Sequence, residues 1–328
     1  MKTRTRLAIM LLALAAPLVQ AADNVTLRLG DVKGDRLVAL KASGELENLP
    51  YHLQVSSFDS GAPVQEALNA GALDVGFTGD LPFLYVYAAG APVKAVGAWQ
   101  NNPDSIALLS RPGSGIDSLA ALKGKRIAVN RGGWGHYLVL GLLKRAGLKP
   151  SDVTLRFLGP ADGRAALSSG SVDAWAPWEP YLSSALILDH AQRVPDGGGK
   201  GIMSGYSFVL AREDAIHSDK RAAISDLLTR LARAQRWALL HPQQFSAALA
   251  TELHMPRSVT EAWTDSARVT PVVFTSRVQQ ALQHSADVFF QEKVLPRHVD
   301  VSNAFDYSLA TAANNIAATP LTPVKEQP

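Results

Sequence analysis

Ala67-Leu68-Asn69-Ala70-Gly71-Ala72-Leu73-Asp74-Val75 is echoed further along the chain by Ala166-Leu167-Ser168-Ser169-Gly170-Ser171-Val172-Asp173-Ala174. Each copy reads as the end of a helix, a glycine stop and a short apolar strand. Each strand runs into a polar loop with proline, Thr78-Gly79-Asp80-Leu81-Pro82 in one copy and Trp178-Glu179-Pro180 in the other. Upstream of each copy a strand feeds a glycine turn and then a helix: Leu27 to Gly34 before Arg36, and Ile127 to Gly133 before His136. Two similar α/β lobes are expected, and a cleft between lobes is where small ligands bind.

Outward from the repeat, the spacing predicts strands at 25–29, 53–56, 75–78, 93–98, 106–109, 127–129, 153–157, 174–177 and 207–210. Helices are expected at 36–43, 63–70, 81–88, 136–146 and 162–169, most of them stopped by glycine. The alternation predicts mostly parallel sheets. After Glu213 the pattern turns helical (220–241, 242–253, 258–266, 276–291), with no convincing strand, and these helices are expected to pack on the first lobe. The predicted division is 22–108 for the first part of lobe one, 109–206 for lobe two, 207–318 for the return to lobe one, and 319–328 for a flexible tail.

The first 21 residues read as a secretory signal peptide. Lys2, Arg4 and Arg6 precede an apolar run from Leu7 to Val19 that ends Val19-Gln20-Ala21. The run is too short for a comfortable membrane span, so cleavage after Ala21 and export to the periplasm are expected. The chain has 32 basic and 29 acidic residues. Its three basic leader residues account for the excess, so the remainder is formally neutral. No basic run suits nucleic acid. The absence of cysteine excludes disulfides and thiolate-bound metal.

Ligands of open α/β sheets bind at the carboxyl ends of strands. Lys33-Gly34-Asp35 opens the first helix, and Gly133-Trp134-Gly135-His136 opens its counterpart in the second lobe. Helix starts present unpaired N–H groups and partial positive charge, and glycine permits close approach, so the matched pair can clamp an anion. Trp134 and Trp178 can wall an apolar part of a ligand; core packing is the alternative. Thr78, Gly79 and Asp80 offer a hydroxyl, open backbone and a carboxylate, although Asp80 can equally cap the following helix. Asp162 reads as a helix cap, and Arg164 as reaching either the cleft or a lobe–lobe salt bridge. Glu179 either bonds across the cleft or caps a helix. His136 has no nucleophile beside it and reads as a contact or capping residue. No Gly-x-Ser-x-Gly, Walker or His-Glu-x-x-His motif is present, so neither enzyme chemistry, cofactor nor metal is expected.

Several runs carry a family resemblance. They are Ala67 to Asp80 with Pro82, Leu122-Lys123-Gly124-Lys125-x-Ile127-Ala128-Val129, Gly135-His136-Tyr137-Leu138, Pro160-Ala161-Asp162-x-Arg164-Ala165-Ala166, and Gly170 to Trp175 with Trp178, Pro180 and Tyr181. In order and spacing they resemble the periplasmic aliphatic-sulfonate-binding proteins of ABC importers and their taurine and nitrate relatives. The resemblance implies a two-lobe type II periplasmic-binding-protein fold, a monomer that closes on a small organic anion and delivers it to an inner-membrane permease. Two departures stand out. Asp35 stands where that family has a small hydroxyl residue, and Trp134 where it often has Ser. A carboxylate facing the anion favours a substituted or zwitterionic sulfonate; one pointing away merely caps its helix. Nitrate, bicarbonate or a pyrimidine precursor are the alternative ligands. An enzyme like the thiamine-pyrimidine synthases is the alternative of another class, although those carry a cysteine-rich motif that this chain lacks.

Overall fold

The computed structural model describes residues 25–32 and 34–321, without the side chain of Asp35. The predicted leader, Lys33 and residues 322–328 of the expected tail lie outside the described residues. The chain begins β1 (Thr26–Val32), α1 (Asp35–Ala42), β2 (His52–Phe58), α2 (Gly61–Asn69), β3 (Val75–Gly79), α3 (Asp80–Ala88), β4 (Val93–Gln100). It continues β5 (Ala107–Ser110), β6 (Arg126–Val129), α4 (Trp134–Arg145), β7 (Thr154–Phe157), α5 (Pro160–Ser169), β8 (Ala174–Trp175), α6 (Tyr181–Leu188), β9 (Gln192–Gly198). The last stretch is β10 (Tyr206–Arg212), α7 (Glu213–Ile216), α8 (Arg221–Leu240), α9 (Pro242–Leu253), α10 (Arg257–Ala267), β11 (Thr270–Pro271), α11 (Ser276–Gln291), α12 (Thr311–Ala318).

The strands form two sheets, in the orders β11-β4-β10-β3-β1-β2 and β7-β6-β8-β5-β9. In each, parallel pairs (β1 with β2 and β3; β6 with β7 and β8) meet an antiparallel strand, β10 in the first sheet and β5 in the second, and the edge strand β11 also pairs antiparallel, with β4. These are the strands on which the chain arrives from the other lobe, which is why they run against their neighbours. The chain leaves the first sheet between Gln100 and Ala107 and returns between Gly198 and Tyr206. The boundaries expected from the sequence fall slightly later, inside β5 and β10.

The repeated Gly-x-x-Asp has a structural cause. Gly71 and Gly170 lie at φ 74° and 77°, the left-handed region that glycine enters without strain. Their carbonyls accept from Arg28 and Arg126, at 2.7 and 2.9 Å. Asp74 and Asp173 then take the same two arginines by backbone N–H and guanidinium, at 2.6–3.1 Å. Each Asp N–H returns a bond to the arginine carbonyl. One lock, used twice, ties each helix end to the neighbouring strand. Lys220 adds a second cation to Asp74 at 2.8 Å.

Two strands were not foreseen. β9 contains Pro195 and two glycines, and pairs only with β5 at the sheet edge, where a missing N–H is tolerated. β11 corrects the expectation of no strand after Glu213; it is a two-residue edge pairing with β4. The C-terminal helices also reach beyond the first lobe. Phe289 of α11 meets Tyr137 of α4 edge-on, with centroids 4.3 Å apart. Ser266 of α10 donates to Glu179 of the second lobe at 2.5 Å. On the far side of the first sheet, α8 buries Leu227, Leu228 and Leu231 in a core shared with α1 and β1.

Candidate functional site

Between the sheets lies a cleft of ≈ 140 Å³. Five helices begin at its wall: the N-cap residues Gly34, Ser60, Gly79, Gly133 and Pro180 of α1, α2, α3, α4 and α6 all line it. Two of these ends are already occupied by carboxylates. Asp80 Oδ1 accepts from Leu81 N–H at 2.9 Å, and Glu179 Oε2 from Ser183 N–H at 3.1 Å. The N-caps of α1, α2 and α4 supply no side-chain acceptor. Each helix start carries roughly half an elementary charge, positive, so three such ends favour an anion at their meeting point.

Side chains add to this field. Among the described residues lining the cleft, Arg36 is the cation. Its guanidinium lies 5.2 and 5.3 Å from the ring centroids of Phe77 and Trp99, and donates to Ser207 Oγ at 2.6 Å. Asn101 Nδ2 braces the same Ser207 hydroxyl at 3.2 Å and the Gly205 carbonyl at 3.0 Å. Thr78 and Ser105, each 4 % exposed, line the cleft, and their hydroxyls have no partner among the described residues. A buried hydroxyl left unpaired costs about 1–3 kcal/mol, so each of the two would gain from an acceptor brought within reach. Trp134, Trp178, Tyr181 and Trp263 supply the aromatic wall.

The lobes are joined across the cleft by Trp134. Its indole N–H donates to Asp80 Oδ1 at 3.0 Å and lies so close to Gly79 that an added Cβ would meet Nε1 at 2.6 Å. Asp80 Oδ2 also accepts from Ser204 at 2.9 Å and from Ser285 at 3.4 Å. Burial pushes the Asp80 carboxyl up, and these donors oppose the rise. Glu179 is likewise raised by burial, against donation from Ser266 and Ser183.

Of the residues singled out from sequence, Gly34, Thr78, Gly79, Gly133, Trp134, Trp178 and Glu179 line the cleft. Asp80 sits behind Trp134, where it is only 1 % exposed. Lys33 lies outside the described residues; Asp35 opens α1, and its side chain lies outside them too. Four expectations need correction. Arg164 reaches neither the cleft nor the other lobe, because Asp189, at the end of α6, takes its guanidinium at 2.5 and 2.8 Å. Asp162 is exposed and falls inside the first turn of α5, which starts two residues earlier than expected. Gly135 packs α4 on the second sheet; a Cβ there would stand 2.2 Å from the Ala176 carbonyl oxygen. His136 stacks edge-on against Phe157, accepts weakly from Gly132 N–H at 3.5 Å, and is held neutral, its pKa lowered to about 4 by burial and by Arg131.

Sequence reasoning missed Arg36, Ser105, Asn101 and Trp263. Arg36 had a readable signal, as it occupies the first turn of a helix whose start was already assigned to the cleft. Trp263 had none, being an aromatic on one face of an amphipathic helix. Among the described residues, no cluster of His, Asp or Glu is placed to hold a metal ion, and no helix is long and apolar enough to cross a membrane.

Residues 53–245 match the NMT1/THI5 like family. The putative aliphatic sulfonates-binding protein of Escherichia coli K12 is 33% identical over 280 residues, covering 84% of this chain and 86% of the relative. Among solved structures, the alkanesulfonate-binding protein SsuA from Xanthomonas axonopodis pv. citri, bound to MOPS, superposes with a TM-score of 0.79 at 30% identity, over 88% of this chain and 100% of that one. The periplasmic aliphatic sulphonate binding protein SsuA from Escherichia coli gives 0.74 at 29% identity, over 92% and 94%.

Proposed function

Because the chain belongs to the NMT1/THI5 like family, we propose that it is the solute-binding component of an ABC importer and captures a small aliphatic sulfonate in the cleft. The observation that carries this reading is the convergence on one cleft of the α1, α2 and α4 starts, Arg36, and the unpaired hydroxyls of Thr78 and Ser105. A sulfonate offers three acceptor oxygens and one negative charge to these donors. Hydrogen bonds to a charged group contribute about 1.5–3 kcal/mol each, and three or four of them supply the roughly 8 kcal/mol that micromolar binding requires. The organic end of the ligand rests on Trp134, Trp178 and Tyr181. In this account the two lobes, one built on each sheet, close about the crossings between Gln100 and Ala107 and between Gly198 and Tyr206, and Trp134 meeting Asp80 is the contact that closure makes. The protein works in the periplasm as a monomer, docks on a membrane permease, and performs no chemistry on its guest.

The test is isothermal titration of the chain from Ala22 onward with methanesulfonate, ethanesulfonate, taurine, MOPS, nitrate and sulfate. Micromolar or tighter binding of sulfonates, with nitrate and sulfate much weaker, is expected. Binding of nitrate with no heat from any sulfonate rejects the reading. Tighter binding of simple sulfonates than of taurine or MOPS rejects a preference for substituted ligands.

A further inference from the structure

Beside the cleft is a second cavity of ≈ 320 Å³, framed by α8, α9 and α10. The two spaces share Trp263, Ala267 and Val269, which line both. These side chains are 5 %, 4 % and 6 % exposed, so the partition is built from fixed, buried groups. Only Trp263 is large. The outer edge of its indole lies against the start of α1: an added Cβ on Gly34 would meet Cη2 at 3.8 Å and Cζ2 at 3.9 Å. One face of Trp263 therefore bounds the anion-binding end of the cleft, while the same side chain closes the cleft off from the larger space behind it. Inside, that space is lined by Ala238 and Phe245 together with the buried polar Gln235 and Ser246, with Glu261, Asp265 and Arg268 towards solvent.

We infer that Trp263 sets the length of ligand the protein accepts. This rests on the sulfonate reading above and deepens it, because it names the residue that separates short from long guests. With the indole in place, a guest whose head is held by the helix starts meets a wall after a few atoms. A small side chain at 263 joins the cleft to the second cavity and admits an alkyl tail. The gain is apolar burial in a space that already exists, so it should grow with chain length.

The experiment is isothermal titration with methane-, butane-, hexane- and octanesulfonate on the wild type, Trp263→Ala, Trp263→Leu and the double variant Trp263→Ala/Ala238→Leu. Circular dichroism checks folding, and Trp263→Leu carries the test should the alanine variant fail to fold. For the wild type, affinity should fall at least tenfold from butane- to octanesulfonate. For Trp263→Ala that fall should vanish or reverse. Ala238→Leu, which narrows the second cavity, should move the order back towards that of the wild type. A folded variant at 263 with the wild-type chain-length profile overturns this inference and leaves the sulfonate reading standing. A wild type that binds no sulfonate overturns both.

Discussion

Replacing Thr78 by Val and Ser105 by Ala separates a binding hydroxyl from a structural one by sign. Both hydroxyls are buried and lack partners among the described residues. Valine keeps the branched shape of threonine on β3, so the packing against Gly61, where an added Cβ would stand 2.9 Å from Thr78 Oγ1, is retained. In the empty protein each substitution relieves an unpaired group and should stabilise by about 1 kcal/mol. For a chain of this size that corresponds to a rise of roughly 1–3 °C in Tm. In the complex each substitution removes a hydrogen bond to a charged acceptor, about 1.5–3 kcal/mol, or roughly a 10- to 150-fold loss of affinity. Differential scanning calorimetry without ligand and isothermal titration with ethanesulfonate read the two effects on the same preparations. A lower Tm in the empty protein means the hydroxyl is satisfied and structural. An unchanged Kd for both variants removes the two hydroxyls from the site.

Other consequences can be checked separately. His136 is held at about 4 in the folded protein against an ordinary 6.5, so the unfolded chain binds the extra proton first. Its contribution is fully present above pH 6.5 and lost as pH falls to about 4, at most about 3 kcal/mol; His136→Gln should flatten that part of a pH–stability curve, and an unchanged slope rejects the buried neutral imidazole. Asp173 is lowered to about 2, chiefly by its hydrogen bond from Arg126. The stability it gives is present above about pH 4 and lost towards pH 2, so Asp173→Asn should lower Tm at pH 7 and have little effect near pH 2; equal losses at both would point to packing. Gly79→Ala forces the Trp134 indole away and should destabilise by about 1–3 kcal/mol. Trp134→Ala should absorb most of that cost in the double variant, and simple additivity in urea denaturation would contradict the contact.

The repeat was the part of this fold most open to reading, because its signals are local. A glycine that ends a helix in the left-handed region and an aspartate three residues on leave a pattern, and both copies form the same lock with an arginine on the adjacent strand. The helix starts were legible for the same reason: a strand, a glycine turn and an apolar period mark where unpaired N–H groups gather. What stayed hidden depends on partners distant in sequence. From sequence Arg164 reads as reaching either the cleft or a lobe–lobe salt bridge, whereas Asp189, twenty-five residues on, holds it. Arg36 faces the cleft because the Phe77 and Trp99 rings and the Ser207 hydroxyl come together there from three strands. Ser105 enters the site only because the crossing between lobes passes the cleft. β9 and β11 are edge strands, defined by the neighbour they pair with more than by their own alternation.

The account's central claim is that one negatively charged group is held where the starts of α1, α2 and α4 meet Arg36. A crystal structure with ethanesulfonate measures this directly. The sulfonate oxygens should lie within hydrogen-bond distance of the Arg36 guanidinium, of Thr78 Oγ1 or Ser105 Oγ, and of first-turn amides from both lobes, with the ethyl group on Trp134 or Trp178. A sulfonate bound elsewhere, or one in the cleft that touches neither Arg36 nor a helix start, contradicts it.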